Sequence, residues 1–136
     1  MRIRRGRRAR VPVLTVGLLL AGCAIGTAVT RPADFPLHAL DQQFNLHWRF
    51  TPGDDRARAE GLVERRHVEI ADVWLQLVGV DGAGHIVSVG GPVHVHWAGG
   101  WDVLPFAIAL TPRGGEARVE VRVASFAYRE GAVIRD

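Results

Sequence analysis

His94-Val95-His96 is the segment whose residue types and spacing best suit metal binding. Side chains two positions apart in a β-strand point to the same face of the sheet, so the two imidazoles would be neighbours. Neutral imidazole binds zinc and copper, but a site needs at least one more ligand. The other histidines that could supply it are His47, His67 and His85. Because the sequence does not place them, the segment equally suits a solvated strand face. We predict no metal site, and keep metal binding through His94 and His96 as the alternative.

Two tryptophans flank a short glycine loop in Trp97-Ala-Gly-Gly-Trp101. Indole rings on a loop can hold a sugar or a peptide, with the ring N–H as a polar handle. The competing interpretation is ordinary packing, which removes a large apolar area from water. Packing is the favoured interpretation, and Trp97 and Trp101 stay as candidate ligand contacts.

Residues that could carry out catalysis are sparse. Ser88 and Ser125 are the only serines, both lie within predicted strands, and no G-x-S-x-G motif surrounds either. Asp54 and Asp55 are adjacent in a turn, so their side chains diverge instead of flanking a bond. No glycine-rich loop opens a helix to form a phosphate cradle. We predict neither catalytic residues nor a cofactor.

The single cysteine ends the run Leu20-Ala21-Gly22-Cys23. This run closely resembles a bacterial lipobox, in which leucine and two small residues precede a cysteine that is lipidated and becomes the new N-terminus. The resemblance implies that Cys23 is the lipid attachment site and that the membrane is a partner through this lipid. No thiol would remain to form a disulfide within the chain.

The residues before Cys23 have the layout of a signal peptide, predicted over 1–22. Six arginines and no acid lie here, and an apolar run of ten residues, 11–20, follows them. That run is about half the ~20 residues that a membrane span needs. An uncleaved anchor reaching residue 29 is the alternative, but Gly17, Gly22 and Gly26 weaken a helix there.

Signal cleavage would reverse the charge of the chain. All seventeen basic residues are arginines, and eleven of them, against fourteen acids, follow the cleavage point, which gives a net charge of −3. The high isoelectric point therefore belongs to the precursor. A nucleic-acid partner is not expected, since the basic patch it would need is absent from the mature chain.

Polar and apolar residues alternate along most of the remaining chain, as in Phe44–Phe50 and Val119–Val123. Period-two runs separated by glycine and proline turns predict an all-β antiparallel, immunoglobulin-like sandwich of about seven strands. Residues 23–40 are predicted as lipidated N-terminus and tether, and 41–136 as the sandwich. The alternative for the tether is that Phe35 and Leu37 pack on the domain as an irregular first strand.

A resemblance to small FxLYD-type domains of bacterial envelope proteins rests on several short stretches in order. These are Gly61-Leu-Val63, Val73-Trp-Leu75, Val80-Asp-Gly-Ala-Gly84, Phe106-Ala-Ile108 and the strand from Val119 to Phe126. The resemblance implies a non-enzymatic module and carries over no functional residues. We therefore predict a lipid-anchored envelope accessory protein with a binding or structural domain, for which another envelope protein is a candidate partner. Ala24 is not the aspartate associated with inner-membrane retention, which favours the outer membrane, facing the periplasm.

Overall fold

The structure is a computed structural model that describes residues 31–131. A single turn of 3-10 helix at Pro32–Asp34 precedes seven strands. The strands are β1 (Leu37–Leu40), β2 (Phe44–Thr51), β3 (Ala57–Arg65), β4 (Ile70–Val80), β5 (Ile86–His96), β6 (Val103–Leu110) and β7 (Arg118–Tyr128). The predicted signal peptide and Cys23 lie outside the described residues. Within 31–131, no helix has the length and apolar character needed to cross a membrane.

The strands form two antiparallel sheets, which confirms the predicted all-β sandwich of about seven strands. One sheet has the order β1-β2-β3-β6 and the other the order β5-β4-β7. Two packed antiparallel sheets are the architecture of immunoglobulin-like domains. The strand order differs from that of a constant-type immunoglobulin domain. When the strands of that domain are numbered along the chain, its two sheets have the orders 1-2-5-4 and 3-6-7.

The core lies between the sheets and consists of the alternate residues that the period-two pattern singles out. From β2 these are Phe44, Leu46 and Trp48, and from β4 they are Val73, Leu75 and Leu77. Each of these side chains is at most 6% exposed. The odd-numbered residues of β2 and the even-numbered residues of β4 from 72 to 76 therefore face outward, because successive side chains of a strand point to opposite faces.

The tether predicted to end at residue 40 is too long. Residues 37–40 form β1 and pair with β2, from Leu37 opposite Trp48 to Leu40 opposite Asn45. Phe35 is 7% exposed. The alternative interpretation, in which Phe35 and Leu37 pack on the domain as an irregular first strand, is right for the strand and for Phe35, whereas the Leu37 side chain is 38% exposed. A buried phenyl ring and a row of ladder hydrogen bonds outweigh the proline content of this segment.

The composition of Gly90-Gly91-Pro92 predicts a break between two strands, but this segment lies inside the continuous β5. The register with β4 shifts here, between Leu75 and Leu77. Gly91 has a φ of 88°, which a glycine adopts without strain. Pro92 is tolerated because β5 is an edge strand and one side of it needs no donor.

The apolar alternation slips at Gly79 and near Ala124-Ser125, which predicts a bulge at each place. The pairing of β4 with β5 shifts between Gly79 and Val80. The pairing of β4 with β7 leaves Ala124 without a partner, between Val123 and Ser125. Both confirm that a slip in the apolar alternation marks a bulge.

Candidate metal site

The outer face of the β5-β4-β7 sheet carries both histidines of the His94-Val95-His96 segment. In the register of β4 with β5, His96 lies opposite Asp72 and His94 lies opposite Trp74. All four side chains share one face, because each pair of neighbours along a strand is two residues apart. Val95, between the histidines, is 8% exposed and points into the core.

One oxygen of Asp72 contacts both imidazoles. Asp72 Oδ1 accepts hydrogen bonds from His94 Nε2 at 2.6 Å and from His96 Nδ1 at 2.7 Å. The three ligand atoms lie within 4.8 Å of one another. Among residues 31–131, Asp72, His94 and His96 are the cluster of at least three histidine, cysteine or carboxylate side chains that could hold a metal ion.

The carboxylate is held in its charged form by this contact. Hydrogen bonds from His96 and, to a smaller extent, from His94 keep the pKa of Asp72 below its usual range, although partial burial opposes them. The side chain of Asp72 is 22% exposed, against 47% for His94 and 52% for His96. The anionic oxygen therefore lies deepest, and the two imidazoles are open to solvent.

Trp74 limits how far His94 can rotate. Its indole stacks on the imidazole with ring centroids 4.6 Å apart and an angle of 10° between the planes. Stacking on a large ring fixes the plane in which the ring nitrogens lie. A packed aromatic neighbour thus pre-orients one of the three ligands.

A surface cleft of about 500 Å³ adjoins the group, and Asp72 and His96 form part of its wall. The other side is lined by Tyr128, Arg129 and Glu130, which follow from the end of β7. An ion bound by the three side chains would face this cleft. Water or a small anion could therefore reach any coordination position of the ion that the protein leaves open.

The remaining sequence candidates lie elsewhere. The ligand that completes the group is Asp72, not His47, His67 or His85. Trp97 is 2% exposed and stacks on Phe44, so it packs in the core and is not a ligand contact. Trp101 is 79% exposed, which corrects the packing interpretation for this residue and keeps it accessible to a ligand.

Asp72 was missed because its pairing depends on a distant strand. The one available signal was the Asp81–Gly84 turn, which folds β5 back on β4. If the residues of β4 and β5 are paired outward from that turn, the His94-Val95-His96 segment lies opposite residues 70–74. Asp72 is the only acidic residue among those five. Two register shifts then decide which residue lies opposite which histidine.

No protein-family model matches the chain, no curated protein matches it, and no solved structure matches it.

Proposed function

We propose that this chain is a non-catalytic, lipid-anchored accessory protein of the cell envelope whose β-sandwich binds a divalent transition-metal ion. Asp72, His94 and His96 are the ligands. The observation that carries the proposal is the convergence of two imidazole nitrogens on one carboxylate oxygen. The sequence supported two ligands on one strand, and Asp72 on the neighbouring strand supplies the third, which gives the three protein ligands typical of an open metal site.

The donor set and the spacing fit a first-row transition metal. Imidazole nitrogen suits zinc, copper and nickel, whereas calcium and magnesium prefer oxygen. Two ligands at right angles, each ~2.05 Å from an ion, are about 2.9 Å apart. The observed separations of 2.6 and 2.7 Å need only a few tenths of an ångström of opening.

Metal binding would replace two hydrogen bonds by two metal–nitrogen bonds. Each ring binds the ion through the lone pair of the nitrogen that faces Asp72, so the N–H on that atom moves to the other ring nitrogen and the imidazole stays neutral. The negative charge on Asp72 then offsets part of the charge of the ion. We therefore expect the affinity to fall as the pH is lowered, because protons then compete with the ion for the imidazole lone pairs.

The proposed place in the cell rests on the residues at the start of the chain. The arginine-rich segment, the ten-residue apolar run and the lipobox support cleavage before Cys23 and attachment of lipid to it. Ala24 supports an outer-membrane position facing the periplasm. The proposed partners are the membrane, through the lipid, and another envelope protein.

The function is tested by titrating the purified protein with Cu²⁺ and with Zn²⁺ and following the unfolding transition. At a metal concentration a hundredfold above the dissociation constant, the ion should stabilise the parent by ~2.7 kcal/mol. Asp72→Asn keeps the shape of the side chain but removes the anionic ligand. It should weaken binding at this site, and the double variant His94→Gln, His96→Gln should abolish it.

The matched control is His85→Gln. His85 is exposed and lies beside Asp81 at 3.4 Å, so it is an imidazole next to a carboxylate without a second histidine. This variant should bind metal as the parent does. If Asp72→Asn and the double variant bind as tightly as the parent, the proposed site is wrong.

A further inference from the structure

A second pair of histidines lies on the other sheet, outside the site described above. His38 of β1 and His47 of β2 are direct cross-strand partners. Their Nδ1 atoms are 2.7 Å apart, and the rings meet edge to face with centroids 5.0 Å apart. Both point outward, because the adjacent Leu46 and Trp48 belong to the core. Cross-strand pairs of this kind bring two side chains together without any contribution from a loop.

The two rings differ in freedom. His47 is 9% exposed, whereas His38 is an exposed residue of a four-residue edge strand. The His47 ring is thus fixed by its surroundings, and the His38 ring can rotate to widen or narrow the gap. Rotation of the His38 ring can therefore change the Nδ1–Nδ1 separation from that of a hydrogen bond to the slightly larger separation of two nitrogens that bind one metal ion.

The far nitrogen of His47 faces a carboxylate. His47 Nε2 is buried and has no hydrogen-bond partner, and Glu64 Oε2 lies 3.9 Å from it. The same oxygen accepts a hydrogen bond from the Asn45 amide at 3.0 Å. Metal-binding histidines commonly direct the second ring N–H to a carboxylate, which fixes the tautomer and increases the basicity of the ligand. A small closure of Glu64 would complete this arrangement and satisfy the orphaned atom.

We infer that His38 and His47 form a second metal site, which takes a square-planar divalent ion such as Cu²⁺ through their Nδ1 atoms. Cis ligands of such an ion are about 2.9 Å apart, whereas two ligands of a tetrahedral zinc ion are ~3.3 Å apart. The observed 2.7 Å is closer to the former. Square-planar nitrogen coordination is typical of Cu²⁺ and Ni²⁺, and Cu²⁺ binds most tightly of the divalent series.

Glu64 acts on this site through His47 and is not itself a ligand. The carboxylate faces Nε2, whereas the ion would bind Nδ1, on the opposite side of the imidazole ring. Two positions of the square plane therefore remain for water or a small anion. We expect this site to bind more weakly than the site with three protein ligands, because fewer protein atoms hold the ion.

The test removes the first site and asks whether copper still binds. The full chain carrying His94→Gln and His96→Gln is titrated with Cu²⁺ in the presence of a competing chelator, and the bound copper is observed by electron paramagnetic resonance. We expect one Cu²⁺ per chain, in a signal of axial symmetry with splitting from two nitrogens. Adding His38→Gln should remove this signal, and adding Glu64→Gln should weaken binding by roughly tenfold or more.

His85→Gln, added to the same double variant, is the matched control and should leave the copper signal unchanged. Because His38 is exposed, its substitution should not unfold the domain, and the circular dichroism spectrum checks this. The inference is overturned if the double variant binds no copper, or if the copper it binds persists unchanged in His38→Gln. Neither result bears on the site at Asp72. That site is tested by comparing metal binding by the parent with metal binding by the His94→Gln, His96→Gln double variant.

Discussion

Single side chains explain both what the sequence could reveal of the candidate site and what it could not. His94 and His96 were recognisable because their spacing of two matches the repeat of a strand. Asp72 was not, because it lies 24 residues before His96 and meets it through the register of two strands. The indole of Trp74 contributes by stacking on His94, although tryptophan alone suggests nothing more specific than packing.

Glu116, in the loop between β6 and β7, is a second carboxylate whose surroundings lower its pKa. Its Oε1 accepts a hydrogen bond from the backbone N–H of Arg113 at 2.7 Å. This hydrogen bond is the largest cause that lowers the pKa of Glu116 below its usual value. The second largest cause is a hydrogen bond from the backbone N–H of Glu116 itself. The charged form therefore stabilises the turn that Gly114 and Gly115 make at positive φ.

We predict that Glu116→Gln lowers the melting temperature at pH 7 and that this effect becomes smaller as the pH falls below the ordinary range of a glutamate carboxyl group. The unfolded chain binds a proton more readily than the folded chain. The stabilisation is therefore complete above the ordinary pKa of 4.5 and is lost as the pH falls through the lower folded value. Thermal unfolding of both proteins between pH 3 and 7 measures this. Glu130→Gln, at an exposed position, is the control, and an equal effect of Glu116→Gln at every pH would contradict the prediction.

At the scale of strands, the period-two pattern predicted the elements well but not all of their ends. The alternation in β2 and in β7 reflects burial of one face, which any strand of a two-layer sandwich must have. The pattern failed at Gly90-Gly91-Pro92, because a bulge on an edge strand uses the same residues as a turn. It failed again at β1, where backbone pairing with β2 holds a short segment whose side chains are largely exposed.

Gly90 shows that this part of β5 is fixed by close approach to β6. A Cβ at this position would overlap the carbonyl oxygen of Ala109. We predict that Gly90→Ala destabilises the domain by ~1–3 kcal/mol, the usual cost of overpacking. Urea unfolding measures the change. Gly82→Ala, where a Cβ meets no atom within 4 Å, should shift stability by no more than ~0.5 kcal/mol. Equal effects of the two substitutions would contradict the prediction.

The contribution of β1 and of Phe35 is measured by moving the start of the chain. A protein that begins at residue 41 lacks both, and burial of a phenylalanine side chain alone stabilises by about 1.5–3 kcal/mol. We expect it to unfold at lower urea concentration than a protein that begins at residue 31. If the two midpoints agree, the prediction is wrong, and β1 and Phe35 contribute no measurable stability.

For the molecule as a whole, the two proposed roles belong to different parts of the chain. Membrane attachment is proposed for the start of the chain, whereas the β-sandwich presents histidines on the outer faces of both sheets. The net charge of −3 expected after the proposed cleavage would favour the binding of cations. The sandwich could be predicted because burial imposes a pattern on the residues, whereas the pairing of distant strands leaves no local pattern.

Cys23→Ala tests the anchoring on which the proposed location depends. One acyl chain gives only marginal, reversible membrane binding, so durable anchoring requires the several chains that a mature lipoprotein carries. Without the thiol no lipid can be added, and lipoprotein processing should stop. We predict that the variant is recovered as uncleaved precursor or in the soluble fraction, whereas the parent partitions with membranes as a shorter, detergent-extractable form. Fractionation followed by intact-mass measurement distinguishes these outcomes. If the variant is cleaved at the same position and partitions with membranes as the parent does, Cys23 is not the anchor, and another part of the chain holds it there.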